Sequence, residues 1–387
     1  MDSKGRELQM PSGFDDFTAR ADRNYSDVSP AAAANAQMLQ NVMQRNGFNS
    51  ISTEWWHFDD SERDSYGVVK NPPPNSNGKK EIIISAVGDC TLTTDPRFPY
   101  AGSFDETFKA VGGDCGYFFS NVITVLENDD LTIANLENAF TLANEKADKS
   151  HQSEAFWFKA DPSYTGILQR GSVEAVDIAN NHSYDYLQPG FDDTVKSLKQ
   201  AGLLYFGYEN AAYKTVQGVK IGMFGYNLLG PLEEGIDKAA LRKQIQSDMK
   251  KAESECDLVI VSFHWGVEGS SEVTLEQTSF AHYAIDNGAD LVLGHHPHVL
   301  QKVERYKNRY IAYSLGNFVF GNYKKAGDKD TMIFQQSFVF DAEGRCSDFS
   351  KARVIPCYMT SVDYRNDFRP MVVEGAAAKR IRERAGM

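Results

Sequence analysis

From residue 81 onward, apolar runs of strand length alternate with amphipathic stretches of helical length. Polar or amphipathic segments follow each of the runs EIIISAV, LTIAN, AVDIA and DLVIVSF, and a charged helix is expected from about Ile236 to Ser254. Strands that alternate with helices in this way form βαβ units. The pattern therefore predicts an α/β domain with a mostly parallel sheet and helices on both of its faces.

The helical pattern largely stops after about Lys302. Two stretches rich in strand-forming residues follow, and each contains a turn signal, at Lys307–Asn308 in the first and at Glu343–Gly344 in the second. Two strands joined by a short turn form a hairpin. An antiparallel portion is thus predicted late in the domain.

The first 70 residues differ in character from the rest of the chain. They combine acidic and aromatic residues with an alanine-rich helical segment at Pro30–Arg45. The stretch that follows, NPPPNSNGKK, contains three prolines and cannot continue a helix or a central strand. We therefore predict a separate segment at 1–70, a linker at 71–80, a main domain at 81–360 and a C-terminal tail at 361–387.

Composition narrows the class of protein. The 387 residues are 42% hydrophobic and carry a formal net charge of -13, which disfavours binding to nucleic acid. The chain lacks the roughly 18 consecutive apolar residues of a membrane helix and the apolar core of a secretory signal, so it is expected to be soluble as written and cytoplasmic. Five widely spaced cysteines favour unpaired thiols over a disulfide scaffold.

Potential metal ligands follow nearly every predicted strand of the main domain. Five of the eight histidines lie at such strand ends. Ligands in open α/β sheets gather at the carboxyl ends of the strands. The candidates are Asp89, Glu137, Asn181, His182, His264, His295, His296 and His298.

Carboxylate, amide and imidazole groups together suit Mn, Zn or Fe better than Ca. The set is large enough for two divalent ions that share one carboxylate, and such a pair typically activates water and neutralises charge on a phosphoryl or oxyanion group. Two of the residues have other common roles, because Asp89 could cap a loop and Asn181 could fix a turn. His295 is expected to point away from its two neighbouring histidines.

These motifs, VGD at 87–89, NLE at 135–137, NNHSYD at 180–185 and the run from His264 to Phe320, resemble the bacterial capsule-synthesis family of the poly-γ-glutamate type. The resemblance covers about residues 81–345 and implies the calcineurin-like metallophosphatase fold, a four-layer α/β/β/α sandwich. It also implies a role for each motif residue. Asp89 and His298 would hold one metal, Asn181, His264 and His296 the other, with Glu137 bridging them and His182, held by Asp185, as the acid for a leaving group.

The sequence departs from the superfamily pattern at its first motif. That motif is usually Asp-x-His, whereas Asp89 is followed here by Cys90 and Thr91. One metal therefore lacks an imidazole, and a count of one ion or two stays open. Thr91 could supply only a weak oxygen or a contact through water.

The first segment resembles the C-terminal half of the zinc D-alanyl-D-alanine dipeptidase family, through MPSGFDDFTARADRNY at 10–25 and TEWWHFD at 53–59. The resemblance implies that Glu54 matches a general base and His57 a zinc ligand. The family's Ser-x-His…Asp motif would lie before this point, and a catalytic zinc generally takes three protein ligands. We expect a remnant, or the end of a longer protein, without dipeptidase activity.

The expected function is metal-dependent hydrolysis in poly-γ-glutamate or cell-envelope polymer metabolism. The alternative is a non-catalytic component of a capsule machine, with membrane partners, that uses its metal site to bind an anionic polymer. Phosphomonoesters, phosphodiesters and γ-glutamyl amides remain open as substrates. Members of the family commonly work outside the membrane behind an N-terminal anchor, so the compartment is also open.

Overall fold

The computed structural model describes residues 8–12, 18–23, 25–60, 79–98, 100–341 and 344–387. They belong to two compact units, Met1–Val69 and Lys70–Met387. Most of the predicted linker, residues 71–78, lies outside the described residues. None of the helices in the described ranges combines the length and the apolar character needed to cross a bilayer.

The first unit contains a 3-10 turn at Ala19–Ala21, helix α1 (Pro30–Arg45) and a small antiparallel sheet of β1 (Phe48–Ser50) and β2 (Phe58–Asp60). The helix begins where the sequence predicts, because the Ser29 side chain accepts a hydrogen bond from the Ala32 amide and proline occupies the first helical position. The Arg23 guanidinium donates to the backbone carbonyls of Ile51 and His57 and so connects the two strand regions.

The second unit contains sixteen further strands and seven further helices in the described residues. Its helices are α2 (Phe104–Ala110), α3 (Ile123–Leu126), α4 (Thr165–Arg170), α5 (Leu187–Gln200), α6 (Lys238–Glu255), α7 (Leu275–Asp286) and α8 (Gly375–Ala385), with a 3-10 turn at Pro162–Tyr164. Its strands are β3 (Lys80–Thr91), β4 (Leu131–Leu136), β5 (Ala139–Phe140), β6 (Lys159–Ala160), β7 (Ala175–Asp177), β8 (Leu204–Phe206), β9 (Ala212–Val216), β10 (Val219–Asn227), β11 (Leu258–His264), β12 (Leu291–His295), β13 (Val303–Tyr306), β14 (Arg309–Ala312), β15 (Asn317–Phe320), β16 (Asp330–Phe340), β17 (Cys346–Tyr358) and β18 (Met371–Val372).

Most of these strands form two mixed sheets. The larger has the order β18-β17-β16-β3-β4-β7-β8, with β15 also paired to β3, and the smaller has the order β13-β14-β12-β11-β10-β9. The pairs β3–β4, β4–β7, β10–β11 and β11–β12 are parallel, so their carboxyl ends lie at a common edge of each sheet. The later strands β16 and β17 are antiparallel, as predicted.

Three buried apolar layers separate the sheets and helices. Between the sheets, Ile84 of β3 and Leu131 of β4 share one cluster with Ile260 of β11. On the outer face of the larger sheet, side chains from α2 to α5 form a second cluster, and α6 and α7 pack on the smaller sheet in a third. The predicted four-layer α/β/β/α sandwich is therefore confirmed.

The late elements complete this sandwich. Lys307 and Asn308 both have positive φ, at 46° and 62°, in the turn between β13 and β14. This is the backbone that a two-residue hairpin turn with right-handed strand twist requires. The predicted tail packs on the sandwich, because β18 pairs with β17 and the Arg380 and Arg384 side chains of α8 bind the Asp330 carboxylate.

Candidate metal centre

The candidate ligands come from both sheets. Asp89, Glu137 and Asn181 lie at or after the carboxyl ends of strands of the larger sheet, whereas His264, His296 and His298 lie at or after those of the smaller sheet. The two edges meet, since the His296 amide lies 3.4 Å from Asp89 Oδ2. The structure therefore brings together all six residues that the sequence analysis proposed as ligands.

A tight backbone approach positions Asp89. A Cβ atom at Gly88 would lie 1.9 Å from the Gly316 carbonyl oxygen, so only glycine allows β3 to run this close to the segment around Gly316. The Asp89 carboxylate accepts from Asn135 Nδ2 at 2.8 Å, and its Oδ2 lies 3.1 Å from His298 Nδ1. Burial would raise the pKa of Asp89, but hydrogen bonds from His295 and His298 more than offset it and hold that pKa well below its usual value.

Glu137 is a fully buried carboxylate in the middle of the cluster. Neither of its oxygens has a hydrogen-bond partner among the residues that the structure describes. Its Oε1 lies 3.7 Å from both His264 Nε2 and His298 Nε2. Burial raises the pKa of Glu137 well above its usual value, because the negative charge of the carboxylate is unfavourable in a site shielded from solvent. A cation among these atoms would remove that cost, so the donor set fits a metal ion.

The Asn181 amide is oriented from both ends. Its Nδ2 donates to the Glu233 carboxylate, which can only accept, so Oδ1 is the atom 2.8 Å from His264 Nε2. An amide oxygen and an imidazole nitrogen thus face each other beside Glu137. The sequence analysis did not identify Glu233.

The histidine loop carries backbone strain. His296 and His298 have φ of 94° and 58°, values that non-glycine residues rarely adopt. Their rings lie 5.8 Å apart, and the His264 ring lies 4.9 Å from that of His296. Burial and neighbouring histidines lower the pKa of His296 to about 3 and that of His264 well below its usual value, so both rings are neutral. Burial opposes charge on His298 too, but Glu137 and Asp89 raise its pKa to about 10.

Ligand atoms of these residues form overlapping groups of three. Within each group all the atoms lie within 4.8 Å of one another. The groups are Glu137 with His264 and His296, Asp89 with Glu137 and His298, and Glu268 with His296 and His298. His295 belongs to none of them, since its Nδ1 lies 3.2 Å from Asp89 Oδ1 instead.

His182 lies directly after Asn181 and is held by a buried ion pair. Its Nδ1 lies 2.8 Å from Asp185 Oδ2, and Lys149 Nζ lies 2.5 Å from the other carboxylate oxygen. The Phe158 ring packs 4.3 Å from the imidazole, between ring centroids. Burial lowers the pKa of His182, although the Asp185 carboxylate opposes that shift. Lys149 was missed because it lies in a polar loop without any periodic pattern.

Thr91 does not face the ligands as a substitute for histidine. Its hydroxyl donates to the Glu137 backbone carbonyl at 3.3 Å and so connects β3 to the chain segment that carries the Glu137 carboxylate. Asp177 is another residue that the sequence analysis missed. It is buried at the end of β7, accepts from Ser262 Oγ at 2.6 Å, and has its pKa raised by burial to about 6.

In the first unit, Glu54 and His57 contact each other. His57 Nδ1 lies 3.0 Å from Glu54 Oε2, and Nε2 lies 3.4 Å from Asp59 Oδ1. Both ring nitrogens therefore face carboxylates. No group of three metal-ligand side chains occurs in the described residues of this unit.

A cavity of about 580 Å³ lies among residues that pack toward His182 and His298. Phe156 lines it and packs on Phe158, which contacts the His182 ring. Tyr323 lines it as well and packs on Phe320, whose ring lies 5.0 Å from that of His298. The charged residues of its wall are Lys324, Glu154 and Arg97, and the Arg97 guanidinium is paired with Asp95.

Known proteins match both parts of the chain. The family described as "Bacterial capsule synthesis protein PGA_cap" matches residues 83–322, and the family described as "D-ala-D-ala dipeptidase" matches residues 1–75. The capsule biosynthesis protein CapA of Bacillus anthracis is 33% identical over 269 residues, which cover 64% of this chain and 62% of that protein. The chain thus spans less than two thirds of this relative's length.

Two further matches concern the first segment and the fold. The D-alanyl-D-alanine dipeptidase of Escherichia coli is 40% identical over 68 residues, 18% of this chain and 35% of that protein. A solved structure described as a novel phosphatase, from Mycoplasma pneumoniae, is 14% identical with a TM-score of 0.45. This match covers 72% of the present chain and 93% of the phosphatase chain. The family matches confirm both resemblances that the sequence motifs indicate.

Proposed function

Because the chain belongs to the bacterial capsule synthesis family PGA_cap, we propose that it is a metal-dependent hydrolase in poly-γ-glutamate or cell-envelope polymer metabolism. The observation that carries the proposal is the Glu137 carboxylate, which is buried without a hydrogen-bond partner among the described residues and lies between two histidines. Such a group is costly unless a cation binds it. The proposed ligands are Asp89 and His298 for one ion and Asn181, His264 and His296 for the other, with Glu137 shared.

The proposed cofactor is one or two divalent ions of Mn, Zn or Fe. Bound there, such ions polarise a substrate oxygen and activate water. The neutral rings of His264 and His296 suit this role, since a ligating imidazole must be unprotonated.

His182 is the proposed acid for the leaving group. Asp185 accepts at Nδ1 and Lys149 holds the far side of that carboxylate, so Nε2 is the nitrogen left for a substrate. Phe158 packs against the ring and limits its rotation. A protein that only binds metal or polymer would not need a histidine held in place by Asp185 and Lys149. The arrangement around His182 therefore supports an enzyme over a binding protein.

The proposed substrate is an anionic polymer or a phosphoester. The cavity beside Phe156 and Tyr323 offers room for such a chain, and the Phe158 and Phe320 rings connect its lining to His182 and His298. Lys324 is exposed at its wall, and the aromatic rings would contact methylene groups between successive charges. Assays with phosphoesters and with γ-glutamyl amides distinguish the two bonds that metal-activated water could cleave.

The test is replacement of His182 by alanine. We expect turnover of an alkyl phosphodiester to fall by about 10²-fold or more, because an alkoxide leaves only with a proton, whereas an aryl phosphodiester should lose much less. The measurement is kcat/KM for both substrates, with bound metal determined in parallel. His282→Ala is the matched control, since that histidine stacks on Tyr306 and contacts Glu304 away from the ligand set. An equal loss for both substrates would contradict the role.

A second candidate function is a non-catalytic capsule component that binds anionic polymer through its metal. The hydroxyl of Thr91, turned to the Glu137 backbone where the superfamily pattern has histidine, favours it. If the chain loaded with Mn, Zn or Fe hydrolyses neither phosphoesters nor γ-glutamyl substrates yet retains polymer only with metal, this second function replaces the first. Dipeptidase activity is the least supported candidate, because His57 has both nitrogens beside carboxylates.

A further inference from the structure

Glu268 is a carboxylate beside the candidate metal centre that the sequence analysis did not assign as a ligand. It lies in the loop after β11, and its Oε1 is 4.0 Å from His298 Nε2. Its side chain is 62% exposed, so it reaches the cluster from the solvent side. With His296 and His298 it forms one of the three groups of converging ligand atoms.

Backbone hydrogen bonds bring Glu268 to this position. The Gly269 amide donates to the Pro297 carbonyl at 2.8 Å, which ties the residue after Glu268 to the loop of His296 and His298. Gln301 Nε2 donates to the carbonyls of Ser270 and Glu272 and holds the rest of the loop. The approach of Glu268 to His298 therefore follows from how the two loops are joined.

The distances allow one cation to contact Glu268 and His298 together. Ligand atoms about 2.0–2.2 Å from a metal lie no more than about 4.4 Å from each other. The separation of 4.0 Å from Glu268 to His298 satisfies this limit, and so does the 3.7 Å from Glu137 Oε1 to the same nitrogen. The buried, unpartnered Glu137 carboxylate is the independent sign that a cation belongs here.

We propose that Glu268 is a ligand of the ion held by His298. This rests on the proposed function only in requiring a metal at the centre. Glu268 would add a third carboxylate to Asp89 and Glu137, which converge on His298 in a separate group. Such an oxygen-rich set prefers Mn²⁺ to Zn²⁺, whereas the ion beside His264 and His296 has the imidazole-rich set that suits Zn²⁺ or Fe²⁺.

The test is a Mn²⁺ titration of the full chain and of its Glu268→Gln variant, with free Mn²⁺ followed by electron paramagnetic resonance. We expect the variant to lose at least about 10-fold in affinity at one class of site and to keep the other class unchanged. Glu272→Gln, an exposed carboxylate four residues along the same loop, is the control and should behave as the wild type. Glu268→His should keep the number of bound ions but shift the affected site toward Zn²⁺.

Two results would overturn the inference, and they differ in what else they affect. If Glu268→Gln and Glu272→Gln both bind Mn²⁺ as the wild type does, Glu268 is not a ligand and the proposed function stands. If the wild-type chain binds none of Mn²⁺, Zn²⁺ or Fe²⁺, the inference and the proposed metal-dependent function fail together. Circular dichroism of each variant checks that the exposed substitution leaves the fold intact.

Discussion

Burial sets the charge state of individual side chains at the metal centre. The rings of His264 and His296 are kept neutral by loss of solvation, and the carboxylates of Asp89 and Glu137 are fully enclosed. Neutral imidazoles beside enclosed carboxylates are the state that a cation requires of its ligands. Binding of an ion must in addition displace the proton of His298, because Glu137 and Asp89, against the effect of burial, raise the pKa of that ring to about 10.

Replacing both His296 and His298 by alanine should remove most of the bound metal. Each proposed ion then loses one of its ligands, because the loop no longer places imidazole nitrogens beside Glu137. Elemental analysis after dialysis measures the change, and His282→Ala should keep its metal. Unchanged metal content in the double variant would show that these histidines are not ligands.

At the scale of elements, the site follows from strand ends, and this part could be predicted from sequence. Apolar runs followed by Asp89, Glu137 or His264 identify parallel strands and the edge where their side chains meet. The full length of β3 could not be predicted, because its end is paired with β15, more than two hundred residues later. Glu233 and Glu268 were missed because they lie in loops, where the sequence has no periodic pattern that would place them at the site.

Gly294→Ala should destabilise the protein by about 2 kcal/mol, since the added Cβ would lie 2.1 Å from the Tyr313 carbonyl oxygen and 2.7 Å from the Trp265 indole nitrogen. Relief of that overlap must displace β12 and the histidine loop after it. Urea unfolding measures the loss, and metal affinity should fall as well. At Gly327 an added Cβ meets no atom within 4 Å, so Gly327→Ala should have little effect. Equal stability of both variants would contradict this account.

At the scale of the whole molecule, the two units differ in how complete their chemistry is. The second unit contains a full set of candidate ligands and a candidate acid, His182. In the described residues of the first unit, Glu54 and Asp59 lie on either side of the His57 ring. No three described residues of this unit bring ligand atoms within 4.8 Å of one another. The sequence analysis predicted this shortage from the family resemblance, because the matched segment supplies one zinc ligand, His57, and a catalytic zinc generally takes three.

The chain supplied with zinc should therefore not hydrolyse D-alanyl-D-alanine. Release of free D-alanine is the measurement, with Glu54→Ala as the matched variant. Hydrolysis by the wild type that disappears in Glu54→Ala would show that a complete site forms in some other way, for instance between two copies of the chain.

The division of the ligands between two sheets has a consequence for folding. The oxygen ligands of the larger sheet, Asp89, Glu137 and Asn181, precede residue 182, whereas the imidazole ligands and the proposed ligand Glu268 follow residue 263. During synthesis the oxygen ligands emerge from the ribosome well before the nitrogen ligands. An intermediate in which only the early part of the larger sheet, β3-β4-β7-β8, has formed would offer a site for hard ions such as Mg²⁺. High-affinity capture of a transition metal would then mark the moment at which the second sheet docks on the first.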